Sequence, residues 1–146
     1  MKRLFDSSAL VPVFYADHPH HDASVKVYLA AGKDDYCAIR SLGEVYATLT
    51  GLPVRPRITG PEGHAIVSQI CERLTLVSLT EAEYLAALET GASAALIGNA
   101  LYDWLIAKCA LKVGATALIT WNVKHFNRFG PEIAQLVKTP LDFIGT

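Results

Sequence analysis

Short apolar segments alternate with longer segments of helical periodicity along this chain. The apolar segments are about four residues long and show no regular polar alternation, which is typical of strands buried on both faces of a parallel sheet. We therefore expect an α/β fold in which helices cover both faces of a central, mainly parallel sheet. The predicted strands are residues 2–5, 36–39, 76–79 and 117–120, with a last strand near Val137.

Capping residues mark several of the predicted helices. Ser41 is a predicted N-cap, and Pro61 is a predicted first helical residue. Thr80 and Glu83 have the spacing of a capping box. Two prolines and two arginines between positions 51 and 60 predict a loop. Other helices are expected after Ser7 or Ser8, at 22–31, within 98–112, around 122–129 and after Pro131, followed by a C-terminal tail.

Polar residues follow two of the predicted strands. Asp6 comes directly after the first strand, and Asn122 lies just beyond the strand that ends at Thr120. In open α/β sheets the ligand site lies outside the carboxyl ends of the strands, which makes both residues functional candidates. Either side chain could instead serve only as the N-cap of the helix that follows it.

The helix predicted within residues 98–112 carries an acid, Asp103, on its apolar side. Its neighbours within about 60° on a helical wheel are Ile106, Ala107 and Ala110. An ionised carboxylate there is costly unless a cation, hydrogen-bond donors or a proton compensates, and no arginine lies one turn away. Asp103 is therefore the strongest functional candidate from periodicity alone.

Composition restricts the class of protein. The chain has 146 residues, 51% hydrophobic and 18% charged, which indicates a single globular domain over residues 1–146. A net charge of −1 gives no global attraction to nucleic acid or membrane, so a polyanion site must be local. The three separated cysteines argue against a disulfide framework or structural zinc. Without a membrane-spanning apolar segment or a signal-like N-terminus, we expect a cytoplasmic protein without membrane contact.

The remaining polar residues have ordinary interpretations. Glu44 lies opposite the apolar stripe of its helix, so its position alone predicts a solvated side chain. The turn with His18, His20 and His21 is a poor metal cage, and we expect surface or capping roles there. Several acids are expected at solvated surface or first-turn helix positions: Asp34, Asp35, Glu62, Glu72, Glu89 and Glu132. Several cations near strand ends or in loops could contact RNA phosphates: Arg40, Arg55, Arg57, Lys124, His125 and Arg128.

Four short segments carry a resemblance to a known family: Asp6–Leu10 (DSSAL), Ser41–Val45 (SLGEV), Tyr102–Ala107 (YDWLIA) and Leu118–Phe126 (LITWNVKHF). In this order they resemble the PIN-domain ribonucleases and, within them, the VapC-type toxins of bacterial toxin–antitoxin pairs. The resemblance covers essentially the whole chain. It implies a PIN-like three-layer α/β/α fold.

The resemblance also implies a set of site residues. Asp6, Glu44 and Asp103 would converge at the strand ends and bind Mg²⁺ or Mn²⁺, with Asn122 as a further catalytic position. It changes Glu44 from an expected surface residue into an expected site residue. A hard divalent cation suits such a carboxylate set because it prefers oxygen ligands.

Asn122 departs from the family pattern, because many members carry a fourth acid there. An amide can orient a water or a ligand but adds no negative charge, so we expect one firmly held metal. Ser8 and Thr120 are weaker candidates, as hydroxyls that support the site.

The leading hypothesis is a Mg²⁺- or Mn²⁺-dependent endoribonuclease that hydrolyses RNA phosphodiester bonds by in-line attack of activated water. It would be the toxin of a type II toxin–antitoxin pair, bound by a cognate antitoxin and, by analogy with the family, a homodimer. The missing acid at Asn122 leaves open a catalytically weak or inactive PIN-like module that binds RNA or protein. A strand-end Asp also leaves open a Mg²⁺-dependent phosphohydrolase of small phosphate esters.

Overall fold

The strands and helices of the chain alternate, as the sequence predicts. A computed structural model describes residues 1–144; the end of the predicted tail, Gly145 and Thr146, lies outside the described residues. Within the described part, five short strands form one sheet. They are β1 (Arg3–Phe5), β2 (Tyr36–Ala38), β3 (Thr75–Val77), β4 (Ala117–Ile119) and β5 (Val137–Lys138).

All five strands are parallel, in the order β3-β2-β1-β4-β5. In the register of the central strands, Phe5 lies between Cys37 of β2 and Ile119 of β4. Along the chain, β2 and β3 extend the sheet on one side of β1, whereas β4 and β5 extend it on the other side. That reversal leaves a crevice at the carboxyl ends of β1 and β4, the usual ligand position in such sheets.

Helices cover both faces of the sheet and complete three layers. They are α1 (Ser7–Leu10), α2 (His21–Leu29), α3 (Ile39–Thr50), α4 (Gly60–Arg73), α5 (Glu81–Ser93), α6 (Ala100–Lys112), α7 (Val123–Asn127) and α8 (Pro131–Ala134). Short 3₁₀ helices at Val11–Phe14 and Pro140–Phe143 complete the described elements. The expected α/β/α fold with a parallel sheet is confirmed. None of the helices in residues 1–144 is both long and apolar enough to cross a bilayer.

Alternate side chains of β1 enter the two cores. Phe5 packs in the core that includes residues of α1–α4, whereas Leu4 packs in the core of α6, α7 and α8. The buried face of α6 consists mainly of Leu105, Ile106, Ala107, Cys109 and Ala110. It contains the predicted Ile106, Ala107 and Ala110 but extends past them to Leu105 and Cys109, so Asp103 lies towards the edge of the buried face and not at its centre. Burial of both faces explains why the strands lack polar alternation.

Capping residues were predicted correctly at α5 and wrongly at α1 and α3. The expected N-cap at Ser7 or Ser8 is wrong, because α1 already begins at Ser7 and its N-cap residue is Asp6. Thr80 and Glu83 form the expected capping box. The expected N-cap at Ser41 is wrong, because β2 passes directly into a helix that already begins at Ile39. Ser41 therefore lies inside the first turn, fully buried, and its hydroxyl has no hydrogen-bond partner among residues 1–144.

Asp35 is not the solvated acid that its sequence context suggests. It is 2% exposed and forms a buried ion pair with Arg3, with an Nη2–Oδ2 distance of 3.0 Å and an Nε–Oδ1 distance of 3.1 Å. Burial by itself would raise the pKa of this carboxyl, but hydrogen bonds from Arg3 and Gly32 outweigh it and hold the pKa below its ordinary value. The prediction failed because Arg3 and Asp35 meet only when β1 and β2 pair.

Candidate active site

Asp6 is a buried carboxylate at the carboxyl end of β1. It is 4% exposed, and its Oδ2 accepts hydrogen bonds from Ser8 Oγ at 2.8 Å and Thr120 Oγ1 at 2.9 Å. Burial raises the pKa of Asp6, and these hydroxyls only partly oppose the rise. No Lys, Arg or His side chain of residues 1–144 forms an ion pair with it. The carboxylate is held in place but not neutralised.

The two hydroxyls also join the ends of β1 and β4. Ser8 Oγ accepts the backbone N–H of Trp121 at 2.9 Å, and Thr120 Oγ1 accepts the backbone N–H of Asn122 at 2.9 Å. Each hydroxyl therefore donates to Asp6 and accepts from the segment after β4. This network couples the position of the Asp6 carboxylate to that segment.

Glu44 and Asp103 lie close enough to Asp6 for the charge of Asp6 to affect both carboxyl groups. Burial raises the pKa of Glu44 first, and the charges of Asp6 and Asp103 raise it further, against the nearby Arg40 guanidinium. Burial likewise raises the pKa of Asp103, and the charge of Asp6 adds to it. The charges of the three acids therefore act on one another, including that of Glu44, whose helical position alone predicted a solvated side chain.

Asp103 has the cation that its own helix does not supply. Its Oδ2 lies 3.3 Å from Arg128 Nη2 and 3.4 Å from His125 Nδ1, and its side chain is 25% exposed. Both partners come from α7 and the residue after it, on the other side of β4 in the sequence. The cost of placing this acid beside apolar residues is thus partly offset by partners that periodicity could not reveal.

The donor set has the chemistry of a hard-cation site. It offers carboxylate oxygens from three elements, and neither Asp6 nor Glu44 has an ion-pair partner within residues 1–144. In the arrangement described, however, residues 1–144 contain no group of three His, Cys, Asp or Glu side chains close enough together to hold a metal ion. The residues thus fit Mg²⁺ or Mn²⁺ by charge and donor type but not by spacing, and the carboxylates would have to move closer together to share an ion.

Asn122 lies at the mouth of the crevice and is exposed. It occupies the N-cap position of α7, but its side chain makes no capping hydrogen bond. The interpretation of Asn122 as a capping side chain is therefore not supported. Its amide remains able to contact a ligand at the end of β4.

Among the six cationic candidates, Arg40, His125 and Arg128 lie at the crevice. The Arg40 guanidinium lies 3.8 Å from the centre of the Tyr102 ring, next to Asp103 in the sequence. The other three candidates, Arg55, Arg57 and Lys124, are exposed.

The histidine turn is more ordered than a surface turn needs to be. His20 stacks on Trp121 with ring centroids 3.7 Å apart and an interplanar angle of 8°. His21 Nδ1 lies 2.7 Å from the carbonyl oxygen of Pro12, which requires the nitrogen to donate. The only sequence signal for this arrangement was the position of Trp121, directly after a strand that ends at the site.

Comparisons with known proteins identify the family and the fold of the chain. The PIN domain model matches residues 3–130. No curated protein sequence matches the chain. The fold is similar to that of VapC20 from Mycobacterium tuberculosis, a Sarcin-Ricin loop cleaving toxin, with a TM-score of 0.72, 13% identity and coverage of 90% of this chain and 98% of that chain.

Two VapBC structures are also similar. VapBC-1 from nontypeable Haemophilus influenzae matches with a TM-score of 0.65 and 19% identity over 97% of this chain and 99% of that chain. VapBC2 from Rickettsia felis, bound to a DNA fragment from their promoter, matches with a TM-score of 0.62 and 18% identity over 95% and 98%. At these identities the likeness is one of fold.

Proposed function

Because the chain belongs to the PIN-domain family, we propose that it is a Mg²⁺- or Mn²⁺-dependent endoribonuclease and the toxin of a type II toxin–antitoxin pair. One observation carries this proposal: Asp6 is buried at the carboxyl end of β1 with no ion-pair partner within residues 1–144, and its charge acts on both Glu44 and Asp103. RNA as the substrate is supported by the similar fold of VapC20, a Sarcin-Ricin loop cleaving toxin.

Each residue of the crevice has a distinct role in this proposal. Asp6 and Asp103 would hold the divalent cation, and Glu44 would complete its shell or orient the attacking water. A bound divalent cation lowers the pKa of a coordinated water and offsets charge that develops on the phosphate. The Asn122 amide would orient the water or the phosphate by hydrogen bonding, without adding charge.

Ser8 and Thr120 would act through Asp6. Their hydroxyls fix one oxygen of the carboxylate, Oδ2, by two hydrogen bonds. A carboxylate held in this way loses less conformational freedom when it binds a ligand. The two hydroxyls are therefore positioning groups.

The partners in this proposal are a cognate antitoxin and a second copy of the chain, in the cytoplasm. The VapBC structures support the antitoxin. An apolar cavity of about 390 Å³ between α3, β3, α5 and α6 supports it as well. Ile39 and Tyr84 line this cavity and are 50% and 41% exposed, an apolar surface suited to a partner.

An Asp103→Ala variant tests the nuclease. It should lose Mg²⁺-stimulated cleavage of single-stranded RNA and, when expressed in bacteria, growth inhibition, while its thermal unfolding stays cooperative. The exposed Asp34→Ala variant is the matched control and should cleave like the wild type. Full activity of Asp103→Ala would refute the proposal, and turnover of a phosphomonoester without cleavage of RNA would favour a small-molecule phosphohydrolase.

A second function, a PIN-like module that binds RNA or protein with weak or no catalysis, is favoured by two observations. Asn122 replaces an acid, and Asp103 is paired with Arg128 and His125. Titration with Mn²⁺ separates the two functions. Binding at or below millimolar metal, lost in Asp103→Ala, supports the nuclease, and no binding at millimolar metal supports the module.

A further inference from the structure

We propose that a polar pocket beside the three acids is a subsite for one nucleotide of single-stranded RNA, next to the bond that is cleaved. The inference deepens the proposed nuclease and rests on it for the position of that bond. The pocket has a volume of about 410 Å³, and its lining includes Ser7, His18, His20, Thr48, Trp121 and Asn122. We call it the histidine pocket.

An aromatic stack builds one wall of the histidine pocket. His20 lies parallel to Trp121 at 3.7 Å, and His18 lies beside His20 with ring centroids 5.6 Å apart. The Trp121 indole is fixed in turn by a hydrogen bond from its Nε1 to Ser24 Oγ at 2.9 Å. The imidazoles are therefore held against a rigid support, which lowers the entropy cost of binding through them.

Hydrogen bonding determines which ring nitrogen of His18 carries the proton. Its Nδ1 accepts the backbone N–H of His20 at 3.0 Å. Burial and the neighbouring imidazoles hold the pKa of His18 below its ordinary value, so the ring is neutral at neutral pH. A neutral ring with an accepting Nδ1 carries its proton on Nε2, which makes Nε2 a hydrogen-bond donor.

The lining of the histidine pocket differs from that of the acid crevice. It contains hydroxyls, imidazoles and an amide, and no carboxylate among the described residues. Hydroxyl, imidazole and amide N–H groups donate to phosphate oxygens, and ring faces contact ribose and bases. The volume lies within the range of small-ligand sites. A nucleotide is the ligand that uses both kinds of group.

The pocket and the acid crevice share their structural support. Ser8 and Thr120 hold Asp6 and also hold the backbone N–H groups of Trp121 and Asn122. Thr48 lies one helical turn after Glu44, on the same side of α3. In this proposal, an RNA strand with one phosphate at the acids would place the neighbouring nucleotide at the histidine pocket.

Histidine NMR tests the subsite without cleavage. The wild-type chain in EDTA is titrated with a hexaribonucleotide of mixed sequence, and the imidazole signals of His18 and His20 should move with one saturating curve. The exposed His64 on α4 is the internal control and should not move. RNA binding that leaves His18 and His20 unmoved, or that moves His64 equally, overturns the inference.

Steady-state kinetics tests the same subsite during cleavage. A His18→Phe/His20→Phe variant keeps aromatic rings at both positions but loses the Nε2 donor of His18 and the hydrogen bond from the backbone N–H of His20 to His18 Nδ1. We expect KM to rise about tenfold, as for the loss of one charge-assisted hydrogen bond, with kcat nearly unchanged. His64→Phe is the matched control. An unchanged KM in the folded double variant overturns the inference.

The two proposals fail in different ways. If the wild type cleaves no RNA in Mg²⁺ or Mn²⁺ but the His18 and His20 signals still move, the nuclease falls and the pocket stands as an RNA site. If the wild type cleaves RNA and neither imidazole responds, the nuclease stands and the pocket falls. If RNA neither binds nor is cleaved, both fall.

Discussion

The two ends of β1 lie beside buried carboxylates in opposite electrostatic environments. Beside its first residue, Arg3, the Asp35 carboxylate has a cation at 3.0 Å and a pKa below its ordinary value. After its last residue, Asp6 has hydroxyl donors but no cation within residues 1–144, and burial raises its pKa. The carboxylate at the amino end is thus balanced by a cation of the protein, whereas the carboxylate at the carboxyl end is suited to bind a cation from solution.

This difference separates a structural acid from a functional one. A buried ion pair whose hydrogen bonds are satisfied depends on both partners and needs nothing more. A buried carboxylate without a cation costs folding free energy, which a protein retains where binding recovers it. Substitutions at each end of the strand separately test this difference.

The largest expected effect is on activity at the carboxyl end. Asp6→Asn should lower Mg²⁺-stimulated RNA cleavage about a thousandfold, since it removes a carboxylate ligand and with it several kcal/mol of transition-state stabilisation. Rates on a fluorescent oligoribonucleotide measure the loss. Asp34→Asn is the control with the same chemical change at an exposed position. A loss below tenfold in Asp6→Asn would place the catalytic acids elsewhere.

At the amino end the expected effect is on stability. Asp35→Asn should lower the free energy of unfolding by about 3 kcal/mol, because it leaves the Arg3 guanidinium buried without its partner. Asp6→Asn in EDTA should not lower it, since that change removes an uncompensated charge. Urea unfolding measures both, again with Asp34→Asn as the control. Equal destabilisation by the two buried changes would contradict the comparison.

The two ends should also differ in their pH dependence. Because the pKa of Asp6 is raised in the folded state, its charge costs stability above that pKa, and the cost disappears as the pH falls to the ordinary value. The stability contributed by Asp35 is present above its ordinary pKa and is lost only as the pH falls towards the lowered folded value.

As the pH is lowered, the stability gap between wild type and Asp6→Asn should therefore close first. The gap between wild type and Asp35→Asn should close at lower pH. Urea unfolding in EDTA, from about pH 8 down to about pH 3, follows both gaps. If the Asp35→Asn gap closed at a higher pH than the Asp6→Asn gap, the stated directions of the two pKa shifts would be wrong.

Asn122→Asp should strengthen metal binding at the carboxyl end of β1. A fourth carboxylate beside the crevice adds negative charge, which should tighten Mn²⁺ binding about tenfold. Isothermal titration calorimetry measures the affinity, and Asn127→Asp at the exposed end of α7 is the control. An unchanged affinity would show that position 122 does not face the metal.

The smallest expected effect comes from the cation on Asp103. Arg128→Gln removes a partner that is 43% exposed, so the pair is worth at most about 1 kcal/mol. Mn²⁺ affinity should rise about threefold, because the metal no longer competes with the guanidinium. Calorimetry at low and at high salt checks this, since salt should shrink the difference. Weaker metal binding would instead show that Arg128 supports the site.

Much of the fold could be predicted because its signals are local. The alternation of apolar segments and helical periodicity predicted the parallel α/β/α architecture, and the Thr80–Glu83 spacing predicted a helix start. The prediction failed at Ser41, where a suitable capping residue follows a helix start that needs none. Local preference is a weak signal when a strand passes directly into a helix.

The candidate site could be predicted only in part. Asp103 was conspicuous because a carboxylate interrupts an apolar stripe, and Asp6 because it follows a buried strand. Glu44 had no such signal, and only its resemblance to a family motif placed it at the site. Asp35 was misjudged because its partner is 32 positions away in the sequence.

By itself the sequence determined which segments form strands and helices and much of their buried stripes, and it singled out Asp6 and Asp103 as candidate site residues. These features depend on residues a few positions apart, where periodicity and capping act. Only the tertiary structure decided which acids are neutralised. It supplied Arg3 to Asp35, Arg128 to Asp103, and no cation within residues 1–144 to Asp6. Such pairings join distant segments, and the hydrogen bond from Thr120 to Asp6 spans 114 positions. They form only when the strands pair and the helices pack.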